Sequence, residues 1–248
     1  MVVRGGGGIV VNRAGPFRVV ADQPLSPTAR SFLLPPEERH HLEVRRAAPG
    51  QLVEVLDGRG QVAVGRLGTD GTIALEGFQR VSRPSDLMLL VGAADRDRFL
   101  WLVEKCVEVG VTDLVPVETE RSRHVATRIR PEHHDKLNRR AREALKQCGG
   151  AWSLDIHPVT GLGAALALVG ADRRWLADPR GAPPDLIIPA TSVAVAIGPE
   201  GGFTEAEAAA IQAAGFAPTR LGLRTLRFET AALAAAMIVR LERSEPHG

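Results

Sequence analysis

From Val193 to Arg243 the chain twice runs through the same arrangement: an apolar run, a glycine-bearing loop, then a helical pattern. Val193-Ala194-Val195-Ala196-Ile197 leads into Gly198-Pro199-Glu200-Gly201-Gly202 and a helix from Thr204. Phe216 to Leu221 leads into Gly222-Leu223-Arg224-Thr225-Leu226-Arg227-Phe228-Glu229-Thr230 and an alanine-rich final helix. An uninterrupted apolar run suits a strand buried on both faces, as in a parallel sheet. In such sheets ligands bind at the carboxyl ends of the strands, where both loops fall.

Local chemistry supports the assignment. Thr204-Glu205-Ala206-Glu207 has the form of a capping box, in which Thr204 and Glu207 satisfy the first free amides of the helix. Gly215 stands where a helix end favours a left-handed residue. The glycines around Pro199-Glu200 let backbone amides approach a ligand that a Cβ would hold off.

The two motifs, Ile197 to Phe203 and Leu221 to Ala232, closely resemble those of the RsmE family at the spacing that family uses. Val103 to Val111 and Glu120-Arg121-Ser122 resemble two further signatures of it. Leu223 departs from the family, which has proline there, and Phe228 from its small polar residue; neither change removes a charge. The resemblance implies a SPOUT-class methyltransferase acting on N3 of a uridine in bacterial 16S (small-subunit) ribosomal RNA, with S-adenosylmethionine as cofactor. It implies an α/β fold: a trefoil-knotted parallel-sheet domain preceded by a small PUA-like β-barrel that helps hold RNA. The partners it implies are ribosomal RNA or the assembled small subunit, and a second copy of the chain. By the same resemblance the cofactor would be held by Ala177, Ile197, Gly198, Glu200, Gly201, Gly202, Leu221, Gly222 and Leu226. Arg227, Glu229 and Glu200 are the candidate catalytic residues, and Arg45, Arg46, Arg121, Arg123 and Arg139 the candidate RNA contacts. The knot rests on resemblance alone, since knots are otherwise nearly absent from proteins.

The 248 residues suit one large domain or two small ones. From Phe17 to about Arg83 the pattern is mostly β, with turn chemistry at Asp57-Gly58-Arg59-Gly60 and Asp70-Gly71 and a helical piece from Glu37 to Arg46. Val81 to Ser85 reads as a linker. Beyond it strands and helices alternate: Leu87 to Val91, Arg96 to Val109, Leu114 to Val117, Leu154 to Val159, Leu162 to Val169 and Arg173 to Ala177. Three parts are therefore expected: a disordered leader over 1–16, a PUA-like β-barrel over 17–83 and the methyltransferase domain over 84–248. Ala177-Asp178-Pro179-Arg180-Gly181 falls where SPOUT proteins place their first cofactor loop.

The net charge of +2 is too small to argue for nucleic acid by itself. Its distribution says more: residues 121–146 hold nine Lys or Arg against three acids. Leu137, Ala141, Ala144, Leu145 and Cys148 are spaced for one buried face there, which leaves the cations outside. Two cysteines make no disulfide framework, and Cys106 falls on an apolar helix face with Phe99 and Val109. No apolar run approaches the roughly 20 residues of a membrane span, and a cytoplasmic location is expected. Adjacent histidines, as at His40-His41 and His133-His134, diverge on a helix and chelate poorly, so no metal is expected.

Methylating a uracil nitrogen needs an aligned methyl donor, removal of the N3 proton and stabilisation of charge on the ring. A paired target must also leave its stack. Arg227 suits a carbonyl or phosphate, and Glu200 or Glu229 suits proton removal; an Arg227–Glu229 ion pair is the plain structural alternative. Three other functions compete: methylation of a different RNA nucleotide, a Rossmann nucleotide enzyme, and an RNA-binding module without chemistry. The Gly-x-Gly-x-x-Gly turn that the Rossmann enzyme needs is missing.

Overall fold

The computed structural model describes residues 16–185 and 192–242. The expected leader thus lies almost wholly outside the described residues, as does Arg243 at the end of the last helix. The first sheet is five-stranded, in the order β1 (Phe17–Val20), β3 (Leu52–Leu56), β4 (Gln61–Leu67), β5 (Thr72–Arg80) and β2 (Ser31–Leu33). Only β1 with β3 is parallel. The β3–β4 hairpin turns on Asp57, whose Oδ1 accepts the amides of Arg59 and Gln61 at 2.8 and 2.9 Å. Gly58 and Gly60 take φ of 65° and 95° in that turn, as only glycine does cheaply. Helix α1 (Pro36–Val44) stops before the expected Arg46, which is left-handed at φ 57° and so cannot continue it.

The second sheet is seven-stranded and parallel throughout. Its order is β12 (Ala217–Thr219), β10 (Arg173–Ala182), β11 (Ser192–Ile197), β6 (Asp86–Gly92), β7 (Asp113–Glu118) and β8 (Asp155–Ile156), with β9 (Thr160–Gly161) also on β7. Helices α2 (Arg96–Val109), α3 (His134–Cys148) and α6 (Phe228–Glu242) build the core on one face; α4 (Leu162–Ala167) and α5 (Glu205–Ala213) build it on the other. The strands feed both faces by alternation: Leu87, Leu89, Val193 and Val195 enter the first core, Leu90, Ala194 and Ala196 the second.

Other expectations change. The strand foreseen over Leu154–Val159 breaks into β8 and β9, with Pro158, which has no amide to donate, between them. The strand foreseen from Phe216 shrinks to β12, which tolerates Pro218 because it is an edge. Cys148 is exposed at the end of α3, whereas Cys106 is buried and its thiol is pushed well above the usual range by burial.

The two sheets share a core, because Val20 and Leu56 of the first join the cluster that contains α3. Charges also cross between them. Glu38 of α1, 1% exposed, accepts from Arg142 Nε at 3.1 Å and Lys146 Nζ at 3.4 Å on α3. Arg142 also meets Asp22 at 2.9 Å. The cations of α3 are thus not all outside: Lys146 is buried. The linker is clasped by Trp152, whose indole N–H donates to the carbonyls of Val81 and Ser82 at 3.2 and 3.0 Å. Among the described residues no helix is long and apolar enough to cross a membrane.

Candidate active site

A cavity of about 530 Å³ opens at the carboxyl ends of β10, β11 and β12. Its walls come from Ala177–Pro179, Ile197–Phe203, Thr219 and the segment from Leu221 to the start of α6. Every residue foreseen as cofactor-binding lies in that wall: Ala177, Ile197, Gly198, Glu200, Gly201, Gly202, Leu221, Gly222 and Leu226.

The loop after β11 is shaped by close approach. A Cβ on Gly198 would lie 2.9 Å from the Gly202 backbone, and one on Gly92, at the end of β6, 2.4 Å from the Pro199 ring. Gly202 itself has φ of 71°. The chain then enters α5 through the foreseen capping box: the Glu207 carboxylate accepts the Thr204 amide at 2.9 Å, and the Thr204 hydroxyl accepts the Glu207 amide at 3.3 Å.

The foreseen loop 177–181 belongs to β10 instead. Ala177 and Ala182 both pair with Thr219, so the residues between them bulge from the ladder. Asp178 closes the bulge by accepting the Arg180 amide at 2.8 Å and its guanidinium at 3.2 Å. That guanidinium, with the amide, holds the Asp178 carboxyl below its usual range.

The charged groups in the cavity wall are Arg98, Asp178, Glu200, Arg224 and Arg227. Glu200 Oε1 accepts the amide of Asp95 at 3.1 Å, tying the glycine loop to the start of α2. Asp95 caps α2 through the amides of Asp97 and Arg98 and accepts the Thr127 hydroxyl at 2.6 Å. The Thr127 hydrogen bond is the main reason its carboxyl lies below the usual range. Arg227 is exposed in the wall. Glu229 does not line the cavity; its Oε2 is buried and has no hydrogen-bond partner among the described residues. Among the described residues the alternative Arg227–Glu229 ion pair does not form. Arg98 was missed by sequence reasoning because it lies about a hundred positions from the glycine loops. Its one signal is its place in the first turn of α2.

The five foreseen RNA-contact arginines fall on three segments: Arg45 and Arg46 at the end of α1, Arg121 and Arg123 after β7, and Arg139 in α3. Arg121 donates to the Gly201 carbonyl and braces the glycine loop. Arg123 pairs with Glu118 at 3.6 Å. Arg45 lies over the Phe17 ring, 5.2 Å from its centroid, beside the left-handed Arg46. Arg139 lines a cleft of about 590 Å³ between the first sheet and α3. One His–carboxylate trio, Asp113, Asp155 and His157, has ligand atoms within 4.8 Å of one another. None of its members lines the cavity, and His157 Nε2 is already hydrogen-bonded to Asp113 at 3.2 Å.

A family model described as an RNA methyltransferase domain matches residues 81–240. Among solved structures, the chain is similar to a ribosomal RNA small subunit methyltransferase E from Neisseria gonorrhoeae bound to S-adenosyl methionine. That match has 26% identity and a TM-score of 0.82, covering 91% of this chain and 97% of that one. It is also similar to a probable rRNA-methyltransferase from Porphyromonas gingivalis, at 28% identity and a TM-score of 0.72, covering 88% of this chain and 94% of that one.

Proposed function

Since the chain belongs to the RNA methyltransferase family whose model spans residues 81–240, we propose that it uses S-adenosylmethionine to methylate N3 of a uridine in 16S ribosomal RNA. The observation that carries this reading is the cavity, which gathers both glycine motifs and the end of β10 around one space. Its volume falls in the range of small-molecule sites. The residues fit the cofactor. Ile197, Leu221 and Leu226 offer apolar walls for an adenosine, and the Gly198 and Gly222 loops bring backbone close where side chains would intrude.

When bound, S-adenosylmethionine supplies an electrophilic methyl group on a sulfonium. The chain's own residues do the rest. The two loops orient the donor, which is where most of the gain in such a transfer lies. Arg227 offers a guanidinium to a uracil carbonyl, where negative charge grows as N3 loses its proton. Of the two candidate carboxylates, Glu200 lines the cavity and Glu229 does not. Glu200 is therefore the better acceptor for the N3 proton, with Oε1 held by the Asp95 amide.

The reading also carries over the family's trefoil knot, its two-part organisation with a PUA-like barrel over 17–83, a cytoplasmic setting and a homodimer. In support of a dimer, α6 keeps Met237 and Leu241 exposed at 42% and 67%, and Trp101 on the adjoining α2 is 43% exposed. Calorimetry with S-adenosylmethionine and with NAD tests the cofactor. Mass mapping of ribosomal RNA from cells lacking the gene tests the target: loss of a methyl from one uridine is the expected result. An unchanged map, or loss from a different nucleotide, would overturn the assignment.

A further inference from the structure

We propose that Arg98 is an RNA-binding residue of this site, and that the target nucleotide reaches the cavity through the cleft that Arg98 shares with it. This rests on the function proposed above and adds the substrate's path.

The cavity has a neighbour. A cleft of about 360 Å³, lined by Asp95, Arg98, Val125, Thr127 and Glu200, adjoins it. Arg98 and Glu200 line both spaces. These two side chains, with the Glu200–Asp95 hydrogen bond, stand at the boundary between them. The outer cleft takes Val125 and Thr127 from the segment whose sequence also carries Arg121, Arg123 and Arg128.

Arg98 is half-buried, and among the described residues its guanidinium makes no hydrogen bond or ion pair; only its backbone amide is engaged, by Asp95. Every other half-buried arginine there has a polar partner, among them Arg18, Arg128, Arg142, Arg174 and Arg240. Withdrawing a guanidinium from water without an acceptor is costly. The obvious acceptor is already occupied: Asp95, whose charge Arg98 feels, spends its oxygens on Thr127 and on two amides. Arg98 thus presents unspent donors at a junction between two cavities. Their complement is an RNA oxygen, either a phosphate flanking the target or a carbonyl of the target base, both of which a planar fork suits better than an ammonium.

The test compares wild type, Arg98→Ala and Arg98→Lys, using calorimetry with S-adenosylmethionine and anisotropy of a labelled small-subunit ribosomal RNA fragment at two salt concentrations. Unchanged cofactor affinity, RNA affinity about tenfold weaker in Arg98→Ala and partial recovery in Arg98→Lys are expected. A phosphate contact also lowers the salt slope by about one. A carbonyl contact leaves the slope alone and lowers kcat for methyl transfer instead. Unchanged RNA affinity and kcat, or an equal loss of cofactor affinity, overturns the proposal. A wild type that binds the RNA but methylates nothing speaks against the proposed function; the affinity comparison still decides Arg98.

Discussion

The ring of Phe228 stacks on that of Phe99, their centroids 6.3 Å apart and their planes inclined by 26°. Phe228 opens α6 and Phe99 lies in the first turns of α2, so the pair joins the end of the second glycine loop to the helix that carries Arg98. Both rings are buried, at 3% and 0% exposure. Phe228→Ala should cost about 3 kcal/mol of stability in urea unfolding. A cost below about 1 kcal/mol would show that the ring does not hold α6 to α2.

Gly198→Ala should weaken S-adenosylmethionine binding at least tenfold. Its new methyl would meet the Gly202 backbone at 2.9 Å, and backbone cannot step aside as a side chain can. Gly201→Ala is the milder control, because its Cβ would meet only the Arg121 side chain at 3.2 Å. Calorimetry on both variants, with circular dichroism to verify folding, gives the comparison; equal affinities would refute the close-approach argument.

Arg227→Ala should reduce methyl transfer by roughly a hundredfold or more while cofactor affinity changes little. The side chain is exposed in the cavity wall and supports no other group among the described residues, so stability should be nearly unaffected. Parallel losses of rate and cofactor affinity would place Arg227 on the cofactor instead.

Ala235 and Val239 of α6 are both fully buried against the chain's own core. Arginine there should unfold the protein. Met237→Arg, on the exposed face of α6, should instead give a folded monomer with impaired transfer. Light scattering decides: a wild type with the mass of a single chain at micromolar concentration removes the dimer.

Asp95 carries a pH signature. Its folded pKa is depressed, chiefly by Thr127, so its stabilisation is present above the ordinary carboxylate value and lost as pH falls through the folded pKa. Asp95→Ala should cost about 1 kcal/mol near neutrality, as N-cap losses do, and progressively less in acid. A cost that stays constant into acid would show that the ionised carboxylate is not the capping form.

Much of the second sheet was legible because its central strands are apolar runs and α2 and α5 carry their own caps. Asp95 and Gly110 bound α2 over the foreseen residues, and Thr204 and Glu207 open α5 as expected. The cavity wall was legible because its glycines sit directly after strands. What could not be read is what depends on distant partners. Arg98 lines the cavity with Glu200 across about a hundred residues of sequence, and Lys146 is buried where Glu38 reaches it from α1. The bulge in β10 was also hidden, since it arises from Thr219 pairing twice. Glu229 looked like a site residue from its closeness to Arg227 in sequence, but Arg227 stands just before α6 and Glu229 inside it, and two steps along a helix turn a side chain by about 200°.

Glu38, sealed beneath Arg142 and Lys146, has a consequence for geometry beyond its own burial. With Val20 and Leu56 seated in the other sheet's core and Trp152 gripping the linker, the first sheet is bolted to the second rather than hinged. The gap between it and the cavity is then a fixed gauge. If RNA engages both, as the proposed function has it, it must bring its own bend to match, and the pairing would select among shapes as a rigid template does, before any base is inspected.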